Sequence, residues 1–364
     1  MKSSDTYKAI GLMSGTSGDG LDIAHCTFRR TATWSFVIDK ASTVPFPVDL
    51  GRRLGGSHLL SGEELALLDV DFGSWMGKCV RQFCQENKLT PDLVASHGHT
   101  VFHQPHKGMT LQIGSGWTLS QESNCTVIND FRSLDVSLGG QGAPLAPVGD
   151  HFLFPAYDFC LNLGGISNVS MMHNGKRAAF DVSPFNLLLN ELARKKGLPY
   201  DRGGKMASAG TVNTTFLNQL NSVGFYQKEG AKSLGREEME SVFLPLLNQQ
   251  EDTIENLLAT LITHYTEQIS KVIHHHPTIQ TNKLLVTGGG AYNDYFIKQL
   301  QQRLGTMTEV VVPAPSIVEF KEAVIFAFLG VLKMNNEINT FGSVTGANRD
   351  SSGGVLYKPQ GPAF

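Results

Sequence analysis

The sequence predicts an α/β protein built from two domains. Two observations carry the fold class. Short apolar runs end in glycine turns, and stretches with helical period lie between them. A third observation sets the domain number: 364 residues at about 150 per domain gives two, each long enough to bury its own core. In chain order, KAIGLM and LDIAHCTF read as the two strands of a hairpin around a glycine loop. Residues 62–87 read as a helix and PDLVA as a strand. FCLNL reads as a strand entering a glycine turn, and AAFD as a strand ending at Asp181, with Pro184 in the first turn of the next helix. Residues 238–276 read as a helix, KLLVT as a strand running into Gly288, and 319–334 as a helix. The stretch LGGQGAPLAPVGD, rich in glycine and proline, marks a boundary, giving an N-terminal domain over 1–135 and a C-terminal domain over 136–364.

Composition excludes several function classes. Apolar residues make up 41% and charged residues 17%, which is a folding rather than a disordered composition. Thirty Lys and Arg against 33 Asp and Glu give a net charge of -3, so no basic excess exists to neutralise a phosphate backbone, and no nucleic-acid partner is expected. Five cysteines, scattered and without a C-x-x-C pair, argue against a disulfide framework or a structural zinc site. The first residues contain no long apolar segment, and no apolar run of about 18 residues occurs, so neither a secretory leader nor a membrane partner is expected. The expectation is a cytoplasmic enzyme acting on small molecules.

Seven stretches carry candidate chemistry. Gly15, Thr16, Ser17, Gly18 and Asp19 sit between the first two strands. Glycine lets backbone N–H groups converge on phosphate oxygens, and Asp19 with Asp22 suits magnesium; the competing interpretation is an ordinary tight turn. His97 and His99, with His103 and His106 downstream, invite a metal assignment. No carboxylate or thiolate shares their spacing, which leaves substrate hydrogen bonding or a structural role. Arg132 offers a planar fork to a carboxylate, or else a surface ion pair. Gly164 and Gly165 follow a strand where backbone meets phosphate. Asp181 suits a general base, with a helix N-cap as the alternative for it or for Ser183. Asp201, in YDRGG, is a second acid or metal partner. Gly288, Gly289 and Gly290 turn from a strand into a helix, as backbone against adenosine and an α-phosphate does. Glu319 and Glu322 open a helix, as dipole partners or with one reaching a substrate hydroxyl. His274, His275 and His276 before Pro277 read as a solvated helix end.

The motifs GTSGDGLD, SHGHTVFHQP, NDFRSLDVSLGGQGAPLAP, LNLGGISN, FDVSPFN, YDRGG, VTGGGAYN, EAVIFAFLG and VTGA, in that order, resemble the anhydro-N-acetylmuramic acid kinase family from Gly11 to about Lys358. The resemblance implies the actin/hexokinase-like ATPase fold: two ribonuclease-H-like α/β domains with an ATP and sugar cleft between them. It implies that water adds to C1 of 1,6-anhydro-N-acetylmuramic acid and that O6 takes the γ-phosphate of ATP, giving N-acetylmuramic acid 6-phosphate and ADP in cell-wall sugar recycling. Asp181 is then the base that deprotonates water. Gly15, Thr16, Ser17, Gly18 and Asp19 grip the β- and γ-phosphates, with Asp19 on Mg2+. Gly164, Gly165, Gly288, Gly289 and Gly290 form the other nucleotide contacts, and His97, Arg132 and Glu322 contact the sugar. A homodimer is also implied. The chain departs from the family pattern at Gly18, at His99 where glutamine is common, and at Asp181-Val-Ser-Pro-Phe-Asn186, where Phe185 replaces a glycine. A bulky ring beside the base is expected to reshape the sugar pocket. The alternatives are a kinase for a related anhydro or amino sugar, or a non-catalytic nucleotide-gated binding protein.

Overall fold

The computed structural model describes residues 5–14, 20–228, 232–235, 238–275 and 281–360. The chain forms two compact units, Met1–Phe154 with Phe320–Phe364, and Pro155–Glu319. This differs from a division after residue 135. The last strand and the body of the helix Pro315–Met334 belong with the first unit. A sequence read in chain order has no signal for a pairing made across most of its length.

In the first unit, β1 (Thr6–Ser14), β2 (Gly20–Arg30) and β3 (Trp34–Pro45) form an antiparallel meander. The expected hairpin around the glycine loop is therefore present, although the loop itself, 15–19, lies outside the described residues. β4 (Leu93–Ser96) lies parallel to β1, and β7 (Val127–Asn129) parallel to β4. The C-terminal β13 (Val355–Tyr357) closes that edge antiparallel to β7. Between β4 and β7 stands a small hairpin of β5 (His99–Gln104) and β6 (Met109–Ile113). The helix Gly62–Asn87 has the expected bounds because Ser61 and Glu64 form a reciprocal capping box. Its Leu68, Phe72, Met76 and Val80 are fully buried at helical spacing. The helix Pro315–Met334 lies over β1 at Gly11, where a β-carbon would overlap the carbonyl of Ala323 and stand 2.8 Å from the Ala327 nitrogen. Only glycine permits that approach.

The second unit repeats the pattern. β8 (Phe159–Leu163), β9 (Ile166–His173) and β10 (Lys176–Pro184) form a meander, and β11 (Asn282–Thr287) and β12 (Thr308–Val311) follow in parallel on the other side of β8. Each unit thus runs third, second, first, fourth, fifth strand across its sheet, the ribonuclease-H-like order.

Three expectations are corrected. Pro184 ends β10 instead of opening a helix; the next helix, Asn186–Arg194, starts after Phe185, and neither Asp181 nor Ser183 caps it. The helical stretch from 238 breaks at residues 249–253. The π-turn Met239–Phe243 and the helix Leu244–Asn248 precede the break, and Thr253 caps a new helix, Ile254–His274. The final long helix begins at Pro315, a turn before Glu319, since proline suits a first helical position. No helix of the described residues is long and apolar enough to cross a membrane.

Candidate active site

In the second unit, parallel strands β8 and β11 end side by side, with Asn162 in register with Thr287. Both then turn on glycine. Gly288 has φ 82°, and a β-carbon there would stand 2.6 Å from Asn162 Oδ1 and 2.9 Å from the Leu163 oxygen. The turn after β8 is fixed by backbone bonds. The N–H groups of Phe185 and Leu187 donate to the Gly165 carbonyl at 2.9 and 3.2 Å, and Asn186 donates to Gly164 at 3.2 Å. A pocket of about 490 Å³ opens beside these turns. It is lined by Gly289, Gly290, Asn186, Tyr200, Arg202 and Tyr292, among others. Here 164–165 and 288–290 come together with the start of the Asn186–Arg194 helix, at strand ends of the kind where α/β sheets place ligands.

Phe185 does not face a sugar pocket. Its ring is fully buried, 4.8 Å from the Phe296 ring and 5.2 Å from the Tyr265 ring. It fills the space a side chain at Gly290 would occupy. The departure at 185 is therefore absorbed by the core of this unit.

Asp181 lies half-buried on β10, opposite Asn168 of β9, just before a register shift. Its Oδ2 accepts the Leu234 N–H at 2.8 Å and the Ser233 hydroxyl at 3.2 Å. Among the described residues Oδ1 accepts no hydrogen bond. Burial pushes the carboxyl above the usual aspartate range, and the Leu234 and Ser233 bonds oppose it. A carboxylate made more basic, with one oxygen free, is equipped to take a proton.

In the first unit, His97, Arg132 and Glu322 come together. Arg132 Nε and Nη2 donate to His97 Nε2 at 3.1 and 2.9 Å, and Nη1 donates to the Gly142 carbonyl at 2.6 Å. His97 Nδ1 donates to the Gly98 carbonyl at 3.0 Å, which fixes the tautomer. Burial, then the Arg132 charge, holds the imidazole well below its usual range, so it is neutral. Both ring nitrogens are engaged, Nδ1 with the Gly98 carbonyl and Nε2 with the Arg132 guanidinium. Burial lowers Arg132 to about 10, with Glu322 and Asp135 opposing. It stays ionised, and its remaining N–H groups have no partner among the described residues. Glu322 follows the buried Lys321, which pairs with Asp150 at 2.6 Å. Desolvation lifts the Glu322 carboxyl, and the Arg132 and Lys321 charges oppose it.

Other sequence candidates have structural duties. Both Asp201 oxygens accept N–H groups at the start of the helix Lys205–Ala209, from Met206 at 2.9 Å and Ala207 at 3.0 Å. Glu319 accepts the Tyr292 hydroxyl at 2.8 Å. His99 Nδ1 lies 3.3 Å from the Oγ of Ser14, the last residue of β1. Gly15, Thr16, Ser17, Gly18 and Asp19 lie outside the described residues, as does His276. Among the described residues no three His, Cys, Asp or Glu side chains gather as a metal site.

Sequence reasoning missed Asp135. Fully buried, it accepts the Gly142 N–H and the Thr345 hydroxyl, both at 2.7 Å, and so folds the loop that receives Arg132. Its place in NDFRSLDVSLGGQG was the only signal.

A family model described as anhydro-N-acetylmuramic acid kinase matches residues 7–359. Relatives of that name include one from Pseudomonas fluorescens (strain Pf0-1), 34% identical, with 96% of this chain and 98% of the relative covered. Another, from Acinetobacter baylyi, is 33% identical over 93% of this chain and 96% of its own length. Among solved structures, a ROK hexokinase from Thermus thermophilus is similar at 11% identity and a TM-score of 0.42, covering 89% of this chain and 99% of that one. A likeness of that size says nothing of what this chain binds.

Proposed function

The chain belongs to the anhydro-N-acetylmuramic acid kinase family, and from that premise we propose that Asp181 is its general base and Arg132 its receptor for the substrate's carboxylate. The activity is ATP-dependent: 1,6-anhydro-N-acetylmuramic acid is opened by water and phosphorylated at O6. Asp181 Oδ1 takes a proton from water as the water oxygen bonds to C1. The bond from C1 to the bridging O6 breaks, and O6 attacks the γ-phosphorus as the bond to ADP breaks. The base acts on water and not on the nucleotide, so nucleotide affinity is independent of it.

The observation that carries the assignment is the asymmetry at Asp181, with one oxygen held, the other without a hydrogen bond among the described residues, and the carboxyl lifted by burial. Arg132, ionised and aimed by His97 and Gly142, suits the lactyl carboxylate of the muramic acid skeleton. Glu322 is assigned a sugar hydroxyl. Gly164, Gly165, Gly288, Gly289 and Gly290 are assigned to the nucleotide, Gly289 and Gly290 from the lining of the pocket, and Gly15, Thr16, Ser17, Gly18 and Asp19 are assigned to the β- and γ-phosphates. Asp19 is the residue assigned to hold magnesium, which when bound would neutralise charge on those phosphates. Magnesium, a cytoplasmic location and a homodimer rest on the family alone.

Phosphate transfer from ATP in ¹⁸O-labelled water tests this. The panel is 1,6-anhydro-N-acetylmuramic acid, N-acetylmuramic acid, N-acetylglucosamine and levoglucosan. Label at C1 of a 6-phosphorylated product from the first sugar alone is expected. Transfer to another sugar in its place overturns the substrate, and silence on all four overturns the kinase assignment. The core position of Phe185 removes the ground for expecting an altered substrate.

A further inference from the structure

We infer that Ser233 is a positioning residue for Asp181: its hydroxyl, with the Leu234 N–H, fixes one carboxylate oxygen and leaves the other as the proton acceptor. The inference rests on the assignment of Asp181 as the base.

Three contacts dock the segment 232–235 on β10 and its surroundings. The Asp181 N–H donates to the Lys232 carbonyl at 2.9 Å, so backbone and side chain of Asp181 engage the same short segment. The Leu234 side chain, 4% exposed, enters the core of the second unit. The Lys232 ammonium stands 4.8 Å from the Phe225 ring centre and 5.9 Å from that of Tyr226.

The aromatic seat is itself fixed. The Tyr226 hydroxyl lies 2.8 Å from His264 Nε2, and His264 Nδ1 lies 2.9 Å from Asn221 Oδ1. Gln268 donates to that same Asn221 oxygen at 2.7 Å, so Nδ1 carries the imidazole proton and Nε2 accepts from tyrosine. Burial pulls His264 down to about 3 and raises Tyr226, so both are neutral at working pH. A chain of contacts therefore runs from the helix Ile254–His274 through Tyr226 and Lys232 to the Asp181 backbone N–H.

Ser233, like Gly235, is exposed. A hydroxyl held only by the loop has no need of a partly buried carboxylate, since water is available. Its convergence with Leu234 N–H on a single oxygen restricts rotation of the carboxylate and leaves Oδ1 without a hydrogen bond among the described residues. Apart from burial, these two donors are the influences on the Asp181 proton; no charged side chain of the described residues is among them, and the Lys232 ammonium faces the rings.

The test compares Ser233→Ala, Ser233→Thr and Asp181→Asn in the full-length enzyme, by kcat and KM across pH with ATP and 1,6-anhydro-N-acetylmuramic acid. Ser233→Ala is expected to lower kcat on the order of tenfold, to leave KM for ATP unchanged, and to move the acid limb of the profile to higher pH. Threonine keeps the donor and restores both. An alanine profile that superimposes on the parent, or a threonine variant that falls as far as alanine, overturns the inference. Asp181→Asn retaining more than about a tenth of the parent rate removes the base assignment itself, so the two failures are distinguishable.

Discussion

Gly290→Ala probes whether Phe185 fills the core beside the glycine turn that follows β11. The added β-carbon would overlap Phe185 Cε1 and stand 2.7 Å from the Leu163 β-carbon and 3.0 Å from Phe185 Cδ1. The ring cannot retreat freely, because Phe296 and Tyr265 pack against it at 4.8 and 5.2 Å. Gly290 does not lie in the left-handed region, so the substitution adds atoms without backbone strain. Overpacking of this kind costs about 1–3 kcal/mol. At roughly 2–4 °C per kcal/mol for a domain of this size, the transition of the second unit falls by about 2–12 °C. Scanning calorimetry of the parent, Gly290→Ala, Phe185→Leu and the double variant reads the effect. The smaller leucine vacates space that the alanine uses, so the double variant loses less than the sum of the singles, by about 0.5–3 kcal/mol. A Gly290→Ala variant within about 0.5 kcal/mol of the parent, or strict additivity in the double variant, refutes the packing.

Asp181→Asn lowers turnover at least about 100-fold while calorimetric ATP affinity is unchanged; lost affinity would mean that the residue serves the nucleotide. The same variant gains thermal stability at pH 7. Burial raises the folded pKa above the ordinary 3.8, so the stability Asp181 contributes is present below that value and lost as pH rises through the folded pKa, whereas asparagine never ionises. The gain should vanish in melts at about pH 3, and a gain of equal size there contradicts the electrostatic cause. Arg132→Lys keeps the charge and loses the fork, so kcat/KM for the sugar falls about tenfold or more with KM for ATP constant. An unchanged sugar KM removes Arg132 from the carboxylate. Asp135→Asn places an amide opposite the Gly142 N–H or the Thr345 hydroxyl and costs about 1–3 kcal/mol, read by urea unfolding.

Local signals carried well from sequence to structure. The hairpin around the glycine loop follows from two apolar runs with nothing but turn residues between them. The helix Gly62–Asn87 announces its start through Ser61 and Glu64. The strand ends at Leu163 and Thr287 were legible because apolar runs stop at glycines. What failed was decided by distant partners. β13 joins β7 through pairing far along the chain. Asp135 reads as an ordinary polar residue of a short helix until Thr345 and Gly142 arrive at its two oxygens. Ser233 carries no motif, since its meaning lies in a carboxylate on another element. Phe185 was misread because a departure from a family pattern tells which atoms were added but not which way they point; Gly290 settles that.

Asp181 and Arg132 show burial acting in opposite directions to one chemical end. Desolvation disfavours charge, so it raises a carboxyl and lowers a guanidinium. For Asp181 the result is a better proton acceptor, and only two hydrogen-bond donors restrain the shift. For Arg132 a fall to about 10 still leaves full charge near neutrality, now with weakened hydration and a fixed direction set by His97 and Gly142. Histidine suits that second task better than a carboxylate would. A carboxylate in place of His97 would add to the Glu322 and Asp135 charges already acting on Arg132 and compete with a substrate carboxylate for its fork, whereas a neutral imidazole orients the fork and adds no charge. The loss expected for His97→Glu is therefore larger than that for His97→Gln, which keeps an uncharged acceptor. Sugar KM values for the two variants decide it: a glutamate variant that binds the sugar as well as glutamine does would show that Arg132's net charge is not what holds the substrate.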